Sequence, residues 1–214
     1  MKFSDIEPLV ELIGRQWKGK ENVEPEHIRL CLLIRIKVLI RIKVFPAGGL
    51  VVEADTGNGK RIVGAINSLR MNWEDIPRTW KELTANGTFL SHRDNGDTFI
   101  CSQITVDPTC GLKGVSRAMI EQQKVIARSI GCKHPIAYSR FQNYAEYISE
   151  YGYIPPDEYL RLNRVLFDGC GRCNDKNVWM HMSSGARPML DMVFENRCTG
   201  DYCSQNTIIV MKYW

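Results

Sequence analysis

Residues 98–131 read TFICSQITVDPTCGLKGVSRAMIEQQKVIARSIG. The run Thr98–Val106 is rich in β-branched and aromatic residues, which suit a pleated, half-buried surface, and it predicts a strand. Asp107 and Pro108 end it, because proline brings no N–H to a ladder. Gly111 and Gly114 then permit a tight turn. Beyond them Val115, Ala118, Met119, Val125, Ile126 and Ile130 recur at near-helical spacing and predict a helix, with Gly131 at its C-cap. A strand, a glycine turn and a helix N-terminus together make an anion site. The first N–H groups of a helix have no internal partner, and the helix dipole favours negative charge there. Lys113 and Arg117 add positive charge beside it. From these residues alone the stretch is either a phosphate-binding turn of an α/β protein or an ordinary strand–turn–helix connection, since short glycine motifs discriminate poorly.

The stretch Val106-Asp-Pro through Gly111-Leu-Lys-Gly114-Val-Ser116 resembles motif A of the GNAT acyltransferase superfamily, in which a V-x-P strand end precedes a Q/R-x-x-G-x-G/A loop that holds the diphosphate of coenzyme A. Gly111 stands where that pattern has Gln or Arg, and Ser116 where it has Gly or Ala. The loop acts through backbone N–H groups, so both departures are compatible with CoA. The resemblance covers residues 50–214 and implies an α/β (α+β) fold: one GNAT-like domain over 1–214, with a mixed, mostly antiparallel central sheet flanked by helices. It also implies that main-chain groups of Ile104, Thr105 and Val106 hold the pantetheine. Leu112, Lys113, Gly114, Val115 and Ser116 would then hold the diphosphate.

Composition agrees with a globular domain: 214 residues, 44% of them hydrophobic, and a formal net charge of +4 from 28 basic and 24 acidic residues. That balance is too mild for a nucleic-acid binder and suits an anionic ligand. No apolar run is long enough to span a membrane and no secretory leader is recognisable, so a cytoplasmic protein is expected. The eight cysteines are then expected as thiols. Cys170-Gly-Arg-Cys173 with Cys198 and Cys203 is a weak zinc candidate of loose spacing, and no metal is expected.

In chain order, Ile6, Leu9, Val10, Ile13 and Trp17 mark an amphipathic helix, followed by a polar break at 21–26. The segment IRIKVLIRIKVF at 34–45 is a duplicated hexapeptide. Its alternation of aliphatic and basic residues reads as a strand with one basic face, whereas the resemblance implies a helix near this point, making 1–49 a helical region with an inserted repeat. Residues 50–54 and 61–68 predict a hairpin across Thr56-Gly-Asn-Gly59. Residues 71–95 form a long connection carrying Trp73, Trp80 and His92. Residues 135–139 predict a strand ending at Ser139 and Arg140, where ligands gather in open α/β sheets. Two short helices are expected over 143–151 and 156–165, then a Gly/Cys loop at 168–175.

Asn177 to Ala186 resembles motif B of the same superfamily, a helix beside the CoA thiol. Where acetyl-transferring members carry a tyrosine four residues before the glycine, this chain has His181 before Gly185; a rival register on Gly152 would put Ile148 there. Imidazole titrates near neutrality and can donate, accept or shuttle a proton. The segment around Trp80, His181 and the Arg197…Asp201…Ser204 pattern are similar to the GNAT-like loading domains of polyketide synthases, of the curacin type. These are associated with decarboxylating a malonyl-type thioester. That likeness implies His181, Ser139 and Arg197 as catalytic residues, with Arg197 pairing the carboxylate or a phosphate, and Trp80 as lining of an acyl tunnel. The expected co-substrate is acetyl-CoA or malonyl-CoA, with an acyl carrier protein as a further partner. The leading expectation is acyl transfer to an amine or thiol, with Glu82, His92 and Glu146 as possible bases; the alternatives are decarboxylation and a non-catalytic acyl-CoA-binding module.

Overall fold

The computed structural model describes residues 1–17, 24–55, 59–165, 175–195 and 201–214. Arg197, Cys170, Cys173, Cys198, the tip of the predicted hairpin at 56–58 and the first half of the polar break lie outside them. The elements are α1 (Ile6–Trp17), α2 (Glu24–Val44), β1 (Gly49–Asp55), β2 (Lys60–Met71), α3 (Trp80–Leu83), β3 (Thr98–Val106), α4 (Val115–Ser129), β4 (His134–Arg140), α5 (Tyr144–Tyr151), α6 (Pro156–Val165), α7 (Lys176–Ser183), β5 (Arg187–Phe194) and β6 (Ile208–Lys212).

The six strands form one sheet in the order β1-β2-β3-β4-β6-β5, antiparallel throughout except for the central β3–β4 pair. Strand alternation sorts the side chains to two faces. Ile66, Cys101, Ala137, Ile209 and Met211 join Val115, Met119, Tyr144, Tyr159 and Val178 beneath α4 to α7. Leu69, Ile100, Ile136, Tyr138 and Val210 meet Leu83 and Phe89 from the long connection on the other side. There α1 buries Ile6, Leu9, Val10 and Ile13, the stripe visible in the sequence, against Val38 and Ile42 of α2 and against β2. Ile126, Ala127 and Ile130, close to the end of α4, cover Phe99.

The repeat at 34–45 is helical and not a strand, and α2 runs through it to Val44. Alternation gives no apolar stripe on a helix, so the local pattern favours the wrong period. Tertiary packing decides instead. Val38, Arg41 and Ile42, three and four residues apart, are buried on one side, while Leu33 and Ile36 stay exposed. The resemblance to a helical N-terminal region holds; the strand reading does not. A second element was missing from the sequence reading: β5, whose half-buried residues lack a clean alternation at the sheet edge.

The 72–97 connection is held by side chains. The Thr79 Oγ1 accepts from Glu82 N at 3.1 Å to cap α3, the Tyr138 hydroxyl donates to Pro77 O, and Asp97 Oδ1 accepts from Trp73 N at 2.9 Å. Trp73 is an anchor, as expected, packed against His134 at 4.7 Å and under the Lys212 ammonium at 5.2 Å. Among the described residues no helix is long and apolar enough to cross a membrane.

Candidate active site

The register between the parallel strands β3 and β4 runs from Thr98↔His134 to Cys101↔Ala137 and stops, while β3 continues to Val106 and β4 to Arg140. Past Cys101 the two strands part. Each keeps its outer neighbour: β3 pairs with β2 through Gly64↔Val106, and β4 with β6 through Arg140↔Ile208. A bulge between Asn67 and Ser68 leaves Ser102 out of register at the mouth of the opening. The sheet therefore has an internal gap at the carboxyl ends of two parallel strands, where open α/β sheets take ligands. Ile104, Thr105 and Val106 belong to the stretch of β3 that runs beyond its last pair with β4.

The turn after Val106 is built locally. Asp107 N donates to Val63 O at 2.8 Å, and the Asp107 Oδ1 accepts from Thr109 N at 2.9 Å and from its hydroxyl at 2.7 Å. Gly111 and Gly114 both have positive φ, 67° and 81°, so the glycines seen in the sequence serve the left-handed backbone of the turn. Gly114 is the N-cap of α4, and no side chain caps that end; the first turn holds no acidic residue. Leu112 and Lys113 are exposed beside it, and Val115 is buried against Gly64. The geometry is a helix N-terminus without a side-chain cap, at the far end of the turn that follows β3.

α7 packs on α4, β4, β5 and β6 and carries His181 into the interior. Asp175 caps α7, accepting from Asn177 N and Val178 N at 3.1 and 3.2 Å. The ring Nδ1 of His181 shares a 2.6 Å hydrogen bond with the Tyr213 hydroxyl. Burial pushes the imidazole down to about 4 and holds the Tyr213 hydroxyl well above its ordinary range. Burial thus favours the neutral ring of His181 at neutral pH. Tyr213 was not foreseen, since it stands 32 residues away in the chain.

Ser139 is buried on β4 two residues beyond Ala137, on the face that α7 covers, and its hydroxyl donates to Arg140 O at 3.4 Å. Arg140 pairs with Asp201 at 2.8 Å, and Asp201 also accepts from the Ser204 hydroxyl at 2.7 Å. The Asp201 and Ser204 of the closing pattern are therefore joined to the end of β4. Trp80 donates its indole N–H to Ser102 O at 3.0 Å, which sets the ring against the bulge of β3.

Of the three bases considered, His92 is unavailable. Its Nδ1 accepts from Arg70 N at 3.0 Å, its Nε2 meets Asp94 Oδ1 at 3.2 Å, and its ring stacks on Phe45 at 4.3 Å. Glu82 accepts from the Thr79 hydroxyl at 2.6 Å in the α3 cap, and Glu146 lies in the first turn of α5. Among the described residues no group of three or more His, Cys, Asp and Glu could hold a metal ion.

No protein-family model matches the chain. Over 116 residues, 53% of this chain and 47% of the relative, it is 30% identical to a Bacillus subtilis (strain 168) protein named Uncharacterized N-acetyltransferase YkwB; the match spans about half of that relative's length. Two solved structures are similar over the whole chain. One is the loading GNATL domain of CurA from Lyngbya majuscula, with a TM-score of 0.74 and 19% identity, covering 100% of this chain and 94% of that one. The other is the GphF GNAT-like decarboxylase in complex with isobutyryl-CoA, with a TM-score of 0.71 and 19% identity, covering 100% and 96%. The chain has the fold of these GNAT-like structures. The likeness includes the N-terminal helices, which the motifs from Leu50 onward had left out.

Proposed function

We propose that this protein binds a coenzyme A thioester in the gap between β3 and β4 and acts on its acyl group, as an acyltransferase of the GNAT type. The parting of β3 and β4 after Cys101↔Ala137, above an uncapped helix N-terminus, carries this reading. Pantetheine has amides that can pair with main-chain groups of Ile104 to Val106. The diphosphate would sit on the amides of Leu112 to Ser116, with Lys113 and Arg117 adding charge. In transfer, an amine or thiol attacks the thioester carbonyl, the C–S bond breaks, and CoA leaves as a thiolate that takes up a proton. An acylated carrier protein would offer the same pantetheine arm. The bound isobutyryl-CoA of the GphF structure supports a thioester in this fold.

A second reading, decarboxylation of a malonyl-type thioester, is favoured by the state of His181. In the tautomer in which the Tyr213 hydroxyl donates to Nδ1, the ring proton is on Nε2, and a neutral N–H is a donor for an enolate oxygen. The C–C bond to the carboxylate breaks, carbon dioxide leaves, its electrons form the enolate, and the α-carbon takes a proton. Ser139 and Arg197 would assist as second donor and carboxylate partner. Mass spectrometry of the protein with malonyl-CoA and, separately, acetyl-CoA tests both readings. Malonyl-CoA converted to acetyl-CoA, and not by His181→Ala, establishes decarboxylation. Acetyl-CoA bound with malonyl-CoA left intact points to transfer. Binding of neither removes the site.

A further inference from the structure

Gln123 is a buried amide in an apolar setting. It lies in the middle of α4, 4% exposed, on the same helix face as the buried Val115, Met119 and Ile120. Burying an amide among such residues is costly unless it is hydrogen-bonded. Here both ends are: Nε2 donates to Gly48 O at 3.1 Å, and Oε1 accepts from the Ser68 hydroxyl. A backbone carbonyl can only accept, so the bond to Gly48 fixes the orientation of the amide and leaves Oε1 for Ser68. The backbones around it approach closely. A Cβ built on Gly48 would lie 2.2 Å from Ser68 O, so glycine is what lets the turn Pro46–Gly48 lie against β2.

The position connects this amide to the gap. Ser68 pairs with Cys101, and Cys101 pairs with Ala137. That row is the last in which β3 is bonded to both of its neighbours. The next residue, Ser102, is the extra one of the bulge, and from Gln103 to Val106 β3 is paired with β2 alone. From the other side of the sheet, where Leu83 of α3 packs, Trp80 holds the bulge through Ser102 O. The helix that begins at the proposed diphosphate turn is therefore bonded, about two turns further on, to the row at which the gap opens. Packing alone would be served by a methionine of similar length. A buried polar network with every member satisfied also specifies one arrangement of the parts that it joins.

We infer that Gln123 is a positioning residue of the thioester site. Through Ser68 it holds the row Ser68–Cys101–Ala137 in fixed relation to α4, and so aligns the pantetheine slot with the diphosphate turn. It acts through β2 and β3, not on the thioester itself. This rests on the thioester site proposed above.

The test uses the intact chain and two ligands, CoA and adenosine 3′-phosphate 5′-diphosphate, which is CoA without its pantetheine arm. Both are titrated calorimetrically. The wild type is expected to bind CoA the tighter of the two. Gln123→Met is expected to weaken CoA about tenfold while the armless ligand stays within about twofold of its wild-type affinity. Ser68→Ala breaks the same bond from its other end and is expected to show the same split, with the double variant no weaker for CoA than about twofold below either single one. An equal loss for both ligands assigns Gln123 to general stability and overturns the inference, as does unchanged CoA affinity; either result leaves the thioester site standing. A wild type that binds CoA no tighter than the armless ligand has no pantetheine slot, and the site falls with the inference. Should Gln123→Met not fold, the split in Ser68→Ala decides alone: its presence upholds the inference and its absence overturns it.

Discussion

His181 and Tyr213 behave as a unit whose chemistry follows from burial. The pair is tied by one short bond inside the α7 face, and the histidine is held neutral far below its ordinary range. Its folded value, about 4, lies below the unfolded one of about 6.5. The unfolded chain therefore binds the proton first as pH falls, and stability present above about 6.5 drains away down to about 4. On this group alone the loss is on the order of 3 kcal/mol. Urea denaturation at pH 7 and pH 4 should show a smaller acid loss for His181→Gln than for the wild type; equal losses would mean that His181 is not buried neutral. Tyr213→Phe removes the hydroxyl that fixes the ring. It is expected to lower kcat about tenfold or more, with KM for the thioester little changed. A change confined to KM would assign Tyr213 to packing.

Within the elements, the end of α4 carries the sharpest consequences. Gly114 sits at φ 81°, so Gly114→Ala forces a Cβ into the left-handed region and should cost about 1 kcal/mol even though nothing crowds the site. Gly114→Glu adds a carboxylate where the diphosphate is expected and should abolish CoA binding. The alanine variant separates strain from charge: if it binds CoA as weakly as the glutamate variant, backbone geometry decides. Lys113→Gln with Arg117→Gln should weaken CoA binding severalfold and flatten its dependence on salt, measured by titration at low and high ionic strength. Strand β3 and helix α4 were legible in the sequence because each has its own period and the glycines between them punctuate the chain. Helix α2 was not. Its IRIK repeat alternates like a strand, and only the burial of Val38, Arg41 and Ile42 against distant elements selects the helix. The candidate site was legible where motifs are local, at 106–116 and 177–186. It was hidden where partners are remote in the chain: Tyr213 for His181, Ser102 for Trp80.

Across the whole molecule, ligand binding and folding are linked. A thioester that seats only in the folded state, at about 100 times its Kd, should add about 2.7 kcal/mol and raise Tm by roughly 5–10 °C for a chain of this size. A thermal scan with acetyl-CoA showing no shift would count against the gap as its site.

The parting of β3 and β4 also bears on how the protein protects itself. Most sheets carry their vulnerable rims on the outside, where charges and short strands blunt them. Here a rim lies in the middle of the sheet, between two strands each held on its other side. What the gap admits must resemble a strand: narrow, extended and spaced with amides. Pantetheine meets that description, and so does a stretch of unfolded polypeptide. On the proposed reading, a bound thioester would stand in for the missing strand between β3 and β4.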